Sequence, residues 1–184
     1  MTPAGRTIDE PRFGGRVTFA VTGAQSGGRL LSTVSVLDRR FPSVPLHVHP
    51  GQTERFAVRR GSLSVTRAGR VHVLGPGDAL EVAPGTPHSF APVGHGEVEV
   101  RVDFSPAGDM EGFLERMAAL VRDDGLTATG RPRVLPLAAI ARDHRDDVRL
   151  ARVPARVQDV ALAVLTAWPA RWVGRSAACG AAGA

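Results

Sequence analysis

Lysine, tyrosine and asparagine do not occur in this chain of 184 residues, and isoleucine occurs only at Ile8 and Ile140. Codons for these residues are AT-rich, whereas those for the abundant Arg, Ala, Gly and Pro are GC-rich. The bias therefore reads as the mark of a GC-rich genome and not as selection for arginine chemistry. The single cysteine, Cys179, cannot form an internal disulfide. No apolar run is long and uninterrupted enough to span a bilayer, so no membrane span is expected. The stretch Met1 to Glu10 lacks the apolar run of a signal peptide, which makes a cytoplasmic location the expectation. Without Lys or Tyr, acid–base work falls to His, Glu, Asp or a metal-bound water.

Every one of the 23 basic residues is Arg, and the formal net charge is +5. Such a balance invites a nucleic-acid reading. The excess is spread along the chain, however, and no basic run exceeds Arg39-Arg40 or Arg59-Arg60. Nor do aromatic residues interleave with the basic ones. Solvated surface arginine is the better reading, and no nucleic-acid partner is expected.

Residues 1–14, rich in Pro, Gly and charge, read as a flexible arm. From about 15 to 107 the pattern is short apolar/polar alternation broken by Gly and Pro, the signature of antiparallel strands. Val17-Phe19-Val21, Ser32-Val34-Val36, Phe56-Val58, Leu63-Val65, Val71-Val73 and Leu80-Val82 are such runs. In the last, Val98, Val100, Val102 and Phe104 face one way while Glu97, Glu99, Arg101 and Asp103 face the other. Eight or nine short strands with no helix between them predict an all-β sandwich or closed barrel. The period then changes. Met110, Phe113, Leu114, Met117, Leu120 and Val121 predict a helix that ends near Asp123, with further helices near Val134–Asp147 and Pro154–Trp172. Residues 108–175 are thus expected to be a helical extension packed on the barrel or on a partner, and 176–184 a disordered tail.

The segment Leu46-His47-Val48-His49-Pro50-Gly51-Gln52-Thr53-Glu54 carries the chemistry. His47 and His49 are two apart, so on a strand both imidazoles point to one face. Glu54 shares its parity with Phe56 and Val58 and would face the same interior, where a carboxylate is costly unless paired or bound to a metal. His88, entered through Ala83-Pro84-Gly85-Thr86-Pro87, is the fourth candidate. Two neutral imidazoles and a carboxylate within a few residues are an oxygen and nitrogen ligand set suited to a divalent metal. The other candidates read as structural. His72 has the parity opposite to Val71 and Val73 and is expected to be exposed; His95 lies in a loop; His144 reads as part of a solvated helix face. Asp78 reads as a turn residue, and Arg60, at a strand end, is expected in water.

The run His47-x-His49-x4-Glu54-x6-Gly61 resembles the first motif of the cupin superfamily, and Gly77-x5-Ala83-Pro84-Gly85-x2-His88 resembles the second. The chain departs from these motifs at Phe41, Ala83 and Pro92, none of them a ligand position. The resemblance covers about half the chain. It implies a jelly-roll, or double-stranded β-helix, barrel in which His47, His49, Glu54 and His88 hold one divalent metal ion. Fe, Mn, Zn, Ni and Cu all remain open as its identity. An ion preferring six ligands would keep two positions for water, dioxygen or a chelating substrate.

The expected lining is apolar: Phe19, Val34, Val36, Phe56, Val58, Leu63 and Phe90, with Gln52 among the few donors. Such a lining suits a hydrophobic small molecule carrying a chelating oxygen pair better than a sugar. Three functions are open: a metal-dependent enzyme (isomerase, cyclase or dioxygenase) acting on a carbonyl-bearing metabolite, with Glu54 as its catalytic residue; a non-catalytic sensing or binding module; and a metal-free polyketide or polyene cyclase. The inferred GC-rich source raises the case for natural-product biosynthesis. The resemblance also implies a homodimer.

Overall fold

The structure is a computed structural model that describes residues 5–123, 127 and 133–167. Its strands are β1 (Thr7–Glu10), β2 (Gly15–Val21), β3 (Leu31–Leu37), β4 (His47–Val48), β5 (Thr53–Arg60), β6 (Ser62–Arg67), β7 (Arg70–Leu74), β8 (Ala79–Val82), β9 (His88–Val93) and β10 (Val98–Ser105). These are followed by α1 (Met110–Arg122), α2 (Val134–Asp143), β11 (Arg149–Leu150) and α3 (Ala155–Ala167). The strands form two antiparallel sheets, one of six in the order β1-β2-β3-β10-β5-β8 and one of five in the order β11-β4-β9-β6-β7. This is a jelly roll of two antiparallel sheets with a C-terminal helical extension, as the alternation and motifs led one to expect.

Strand β10 sets the interior. Val98 and Val100 have no exposed surface and Val102 and Phe104 almost none. Antiparallel partners that lie directly opposite share a face. Opposite Val102 and Phe104 on β5 stand Phe56 and Glu54, so Glu54 faces inward with Phe56 and Val58. Leu63 and Val65 of β6 close the core from the other sheet. The β5–β6 corner needs a residue without a side chain. Gly61 has φ +76°, and a Cβ there would collide with the carbonyl of Glu97.

Register overturns two expectations about facing. On β3 the partners of Val98, Val100 and Val102 are Leu37, Ser35 and Thr33, and these are the buried residues. Val34 and Val36 lie opposite Arg101 and Glu99 on the outer face, half-buried, and do not line the interior. Leu31 and Leu37 bury more apolar surface than the two valines would, and they fix the parity of the strand. On β7, Val65 and Leu63 stand opposite His72 and Leu74, which turns His72 inward to a half-buried position. Val71 and Val73 point to water instead, 66 % and 64 % exposed on an edge strand.

Three further segments depart from the reading of the sequence. Thr7–Glu10, expected to be flexible, pairs with β2 from Thr7↔Thr18 to Glu10↔Gly15, and Ile8 is buried. A single inward Ile on a four-residue strand is too short a pattern to see in the sequence. The second helix stops at Asp143, and the chain then forms β11. His144, expected in water, is 2 % exposed and packs its ring 5.6 Å from that of Phe113 on α1. Of the third helix, residues 155–167 are described; Trp168–Trp172 and the tail 176–184 lie outside the described residues. No helix among the described residues is long and apolar enough to cross a membrane.

The extension adheres through α1, whose Met110, Ala118, Leu120 and Val121 are buried while Phe113 and Leu114 pack on the barrel core. Helix α2 lies between α1 and α3 and buries Ala138 and Ile140. Helix α3 buries no residue and leaves Val157, Val160 and Val164 exposed.

Phe56 lies at the centre of this core, fully buried. Phe56→Ala should lower the unfolding free energy by about 3–5 kcal/mol, whereas Val73→Ser on the exposed edge should change it by about 0.5 kcal/mol or less. Urea denaturation of both variants checks the contrast.

Candidate metal centre

Four side chains from three strands and a turn meet at one end of the barrel. His47 is on β4, directly opposite His88 on β9, and His49 follows in the turn that leads to β5. Glu54 enters from the six-stranded sheet, across from Phe104. All four are buried, and one ligand atom from each lies within 4.8 Å of every other. The ring centroids of His47 are 4.1 Å from those of His88 and 5.0 Å from those of His49.

Each imidazole is oriented by a backbone carbonyl. Nδ1 of His47 donates to Pro45 O at 2.8 Å, Nδ1 of His88 to Thr86 O at 2.8 Å, and Nδ1 of His49 to Asp147 O at 2.6 Å. A carbonyl only accepts, so all three rings carry their proton on Nδ1, and those of His88 and His49 turn Nε2 toward Glu54. Nε2 of His88 is 2.6 Å from Glu54 Oε2, and Nε2 of His49 is 3.5 Å from the same oxygen. Nε2 of His49 is buried without a hydrogen-bond partner.

This arrangement fits a divalent cation. A nitrogen and a carboxylate oxygen at 2.6 Å need a positive centre between them, because that ring already spends its Nδ1 proton on Thr86. Three Nε2 lone pairs and one carboxylate are the donor set that a borderline metal ion takes, and carbonyls on the far nitrogens are its usual outer support. The donors do not select among Fe, Mn, Zn, Ni and Cu.

The electrostatics follow from burial. Burial pushes the His47 imidazole down to about 4, assisted by the charge at His88. For Glu54 burial acts upward, but the close approach of His49 and His88 and their charge outweigh it and hold the carboxyl at about 2. The same pairing raises His49 in spite of its burial.

Phenyl rings form the walls. Phe104 lies 5.4 Å from the His49 ring, Phe56 lies 6.5 Å from His88, and Phe56 and Phe90 are 5.1 Å apart. Phe19, Val58 and Leu63 are core residues, buried. Val34 and Val36 are not part of the site, being on the outer face. Gln52 is buried, but its amide NH2 is engaged with Pro106 O, Ala107 O and Asp147 Oδ1 at 3.2, 2.9 and 3.4 Å. It braces the loop after β10; its Oε1 is buried and unpartnered. Strand parity set Glu54 and Phe104 each on an inward face, and their position opposite one another comes from the β5–β10 register. Nothing in the sequence marks Asp147 as a partner of His49. Of the side chains set aside, Asp78 accepts from Gly75 N at 2.9 Å in a turn, Arg60 pairs with Glu97 at 2.8 Å in water, and His95 is exposed.

Residues 36–104 match the family model described as "Cupin domain". That segment, which holds His47, His49, Glu54 and His88, is what the chain shares with cupin domains. Among individual proteins it is 32 % identical over 83 residues to "Quercetin 2,3-dioxygenase" of Bacillus subtilis (strain 168), an overlap of 45 % of this chain and 25 % of that enzyme. The chain thus spans about a quarter of the length of that relative. It is similar in structure to KdgF from Halomonas sp. (TM-score 0.49, 21 % identity, 56 % of this chain and 90 % of that one). It is also similar to the polyketide cyclase RemF from Streptomyces resistomycificus (TM-score 0.42, 23 % identity, 51 % and 66 %).

The metal-free centre should make stability acid-sensitive. His47 is depressed below its ordinary 6.5, so its stabilisation is complete above that pH and is lost as pH falls to about 4. Glu54 behaves likewise between 4.5 and about 2. His49, being raised, runs the other way and stabilises more below 6.5 than above its folded value. Urea titrations of chelator-treated protein at pH 7.5 and pH 4 isolate the first effect. Wild type should lose on the order of 3 kcal/mol more than His47→Gln over that interval; equal losses would contradict it.

Proposed function

We propose that this protein is a metal-dependent enzyme acting on a hydrophobic, carbonyl-bearing small molecule, and that among the open chemistries it is a dioxygenase. The observation that carries the proposal is the convergence of three Nδ1-anchored imidazoles and the Glu54 carboxylate beside the phenyl rings of Phe56, Phe90 and Phe104. The sequence likeness to a quercetin 2,3-dioxygenase over 83 residues supports the oxygenase branch over an isomerase or cyclase.

In this reading His47, His49, His88 and Glu54 hold the ion. A divalent metal there supplies Lewis acidity and, if redox-active, one-electron chemistry with dioxygen. The remaining work belongs to the chain. The carbonyls of Pro45, Thr86 and Asp147 keep the three Nε2 lone pairs aimed inward, which removes the cost of reorganising them when substrate arrives. The phenyl walls bind a flat apolar substrate and exclude water. Glu54, held as a carboxylate by its two histidine neighbours, is the one anion among these four side chains, and it accepts the proton of an enolic or phenolic hydroxyl at Oε1 or Oε2.

The test is oxygen consumption with quercetin and with a β-diketone, using protein reconstituted separately with Fe(II), Mn(II), Ni(II), Cu(II) and Zn(II). Oxygen uptake should match substrate loss with at least one redox-active metal, be absent with Zn(II), and fall by about a hundredfold or more in Glu54→Gln. Substrate conversion without oxygen uptake would move the activity to the isomerase or cyclase branch. Tight binding of the probe with its unchanged recovery would make the protein a sensing or binding module. Turnover that survives chelation and His47→Ala would point to metal-free cyclisation.

A further inference from the structure

We infer that Asp147 is a positioning residue of the metal centre, and that through it the C-terminal extension supplies the outer support of one ligand. The inference rests on reading His47, His49, Glu54 and His88 as metal ligands. The carbonyls that orient His47 and His88 lie two residues before each of them, so the local backbone sets those rings. The acceptor for His49 is 98 residues away in the chain. His49 thus points at the centre only while the extension is docked.

Asp147 is held in place from several sides. Its N–H donates to His144 O at 3.0 Å, which closes the turn after α2. Its Oδ1 accepts from the backbone N–H of Asp109, at the start of α1, at 3.0 Å, and from Gln52 Nε2 at 3.4 Å. Immediately after it, β11 pairs with β4, Arg149 opposite Val48 and Leu150 opposite His47, and Ala151 N donates to Leu46 O at 3.1 Å. The fit leaves no slack: Gly108 has φ +53°, and a Cβ there would collide with the Asp147 carboxylate and the Gln52 amide. The side chain of Asp147 therefore locks the loop after β10, the turn before β5 and the turn after α2 together, while its main chain holds His49.

A brace of the fold and a brace of the ligand differ in what they move. Loss of the Asp147 carboxylate should free its carbonyl, let the His49 ring rotate, and weaken metal binding more than it weakens the metal-free fold. The experiment measures the Co(II) dissociation constant of the full chain by competition with a chromophoric chelator, the visible spectrum of the Co(II) form, and thermal unfolding without metal. Asp147→Ala should bind Co(II) about tenfold to a hundredfold more weakly, with an altered visible band, and Asp147→Asn, which keeps an acceptor at Oδ1, should stay within about threefold of wild type. Equal affinity and spectrum in wild type and Asp147→Ala, with affinity lost in His88→Ala, would overturn the inference and leave the metal reading standing. Failure of wild type to bind Co(II) would overturn both. A second measurement needs no variant: on adding Co(II) to wild type, amide hydrogen exchange should slow at residues 147–151 as well as at 46–54. Protection confined to 46–54 would overturn the inference even if Asp147→Ala does not fold.

Discussion

The carboxylate of Glu54 is buried, and no arginine among the described residues pairs with it. Removing an ion of that size from water costs several kcal/mol even after relaxation. His88 and His49 present Nε2 to it, each ring turned by a carbonyl behind it, and a cation held among these atoms would offset the cost. The donors come from different layers. Glu54 belongs to the six-stranded sheet, while His47 and His88 belong to the five-stranded one. Closing the barrel and assembling the centre are therefore one event, and the phenyl rings around the site keep it dry enough for the pairing to matter.

The extension takes part in that event. It begins with α1 packed on the barrel core and returns as β11 along β4, the strand that carries His47. The return brings the main chain of Asp147 behind His49. Barrel, centre and extension form a closed circuit of contacts, in which the turn after α2 orients His49 as well as joining elements that cover apolar surface. Helix α3 stands apart from this circuit, with no buried residue and an exposed valine face.

How far the sequence could be read depended on the range of the signal. Strand parity is local, and it placed Glu54 with Phe56 and Val58 and set Val98, Val100, Val102 and Phe104 inward. The histidine spacing in the two motifs drew His47, His49 and His88 toward one site. Where two parities were both plausible, register decided and local alternation misled. Leu31 and Leu37 outweighed Val34 and Val36 on β3, and the pairing with Val65 turned His72 inward. The burial of His144 and the two-residue strand β11 depend on how the extension packs, which no periodicity within the extension encodes. A backbone carbonyl used as a hydrogen-bond acceptor, as at Asp147, leaves no mark in residue identity at all.

The most direct test of the account is metal content per chain, by elemental analysis of protein purified without chelators or a polyhistidine tag, beside the His49→Ala/His88→Ala double variant. The account predicts near-stoichiometric divalent metal in the wild type and none in the double variant. Absence of metal from the wild type after attempted reconstitution, or equal metal in both proteins, would contradict it.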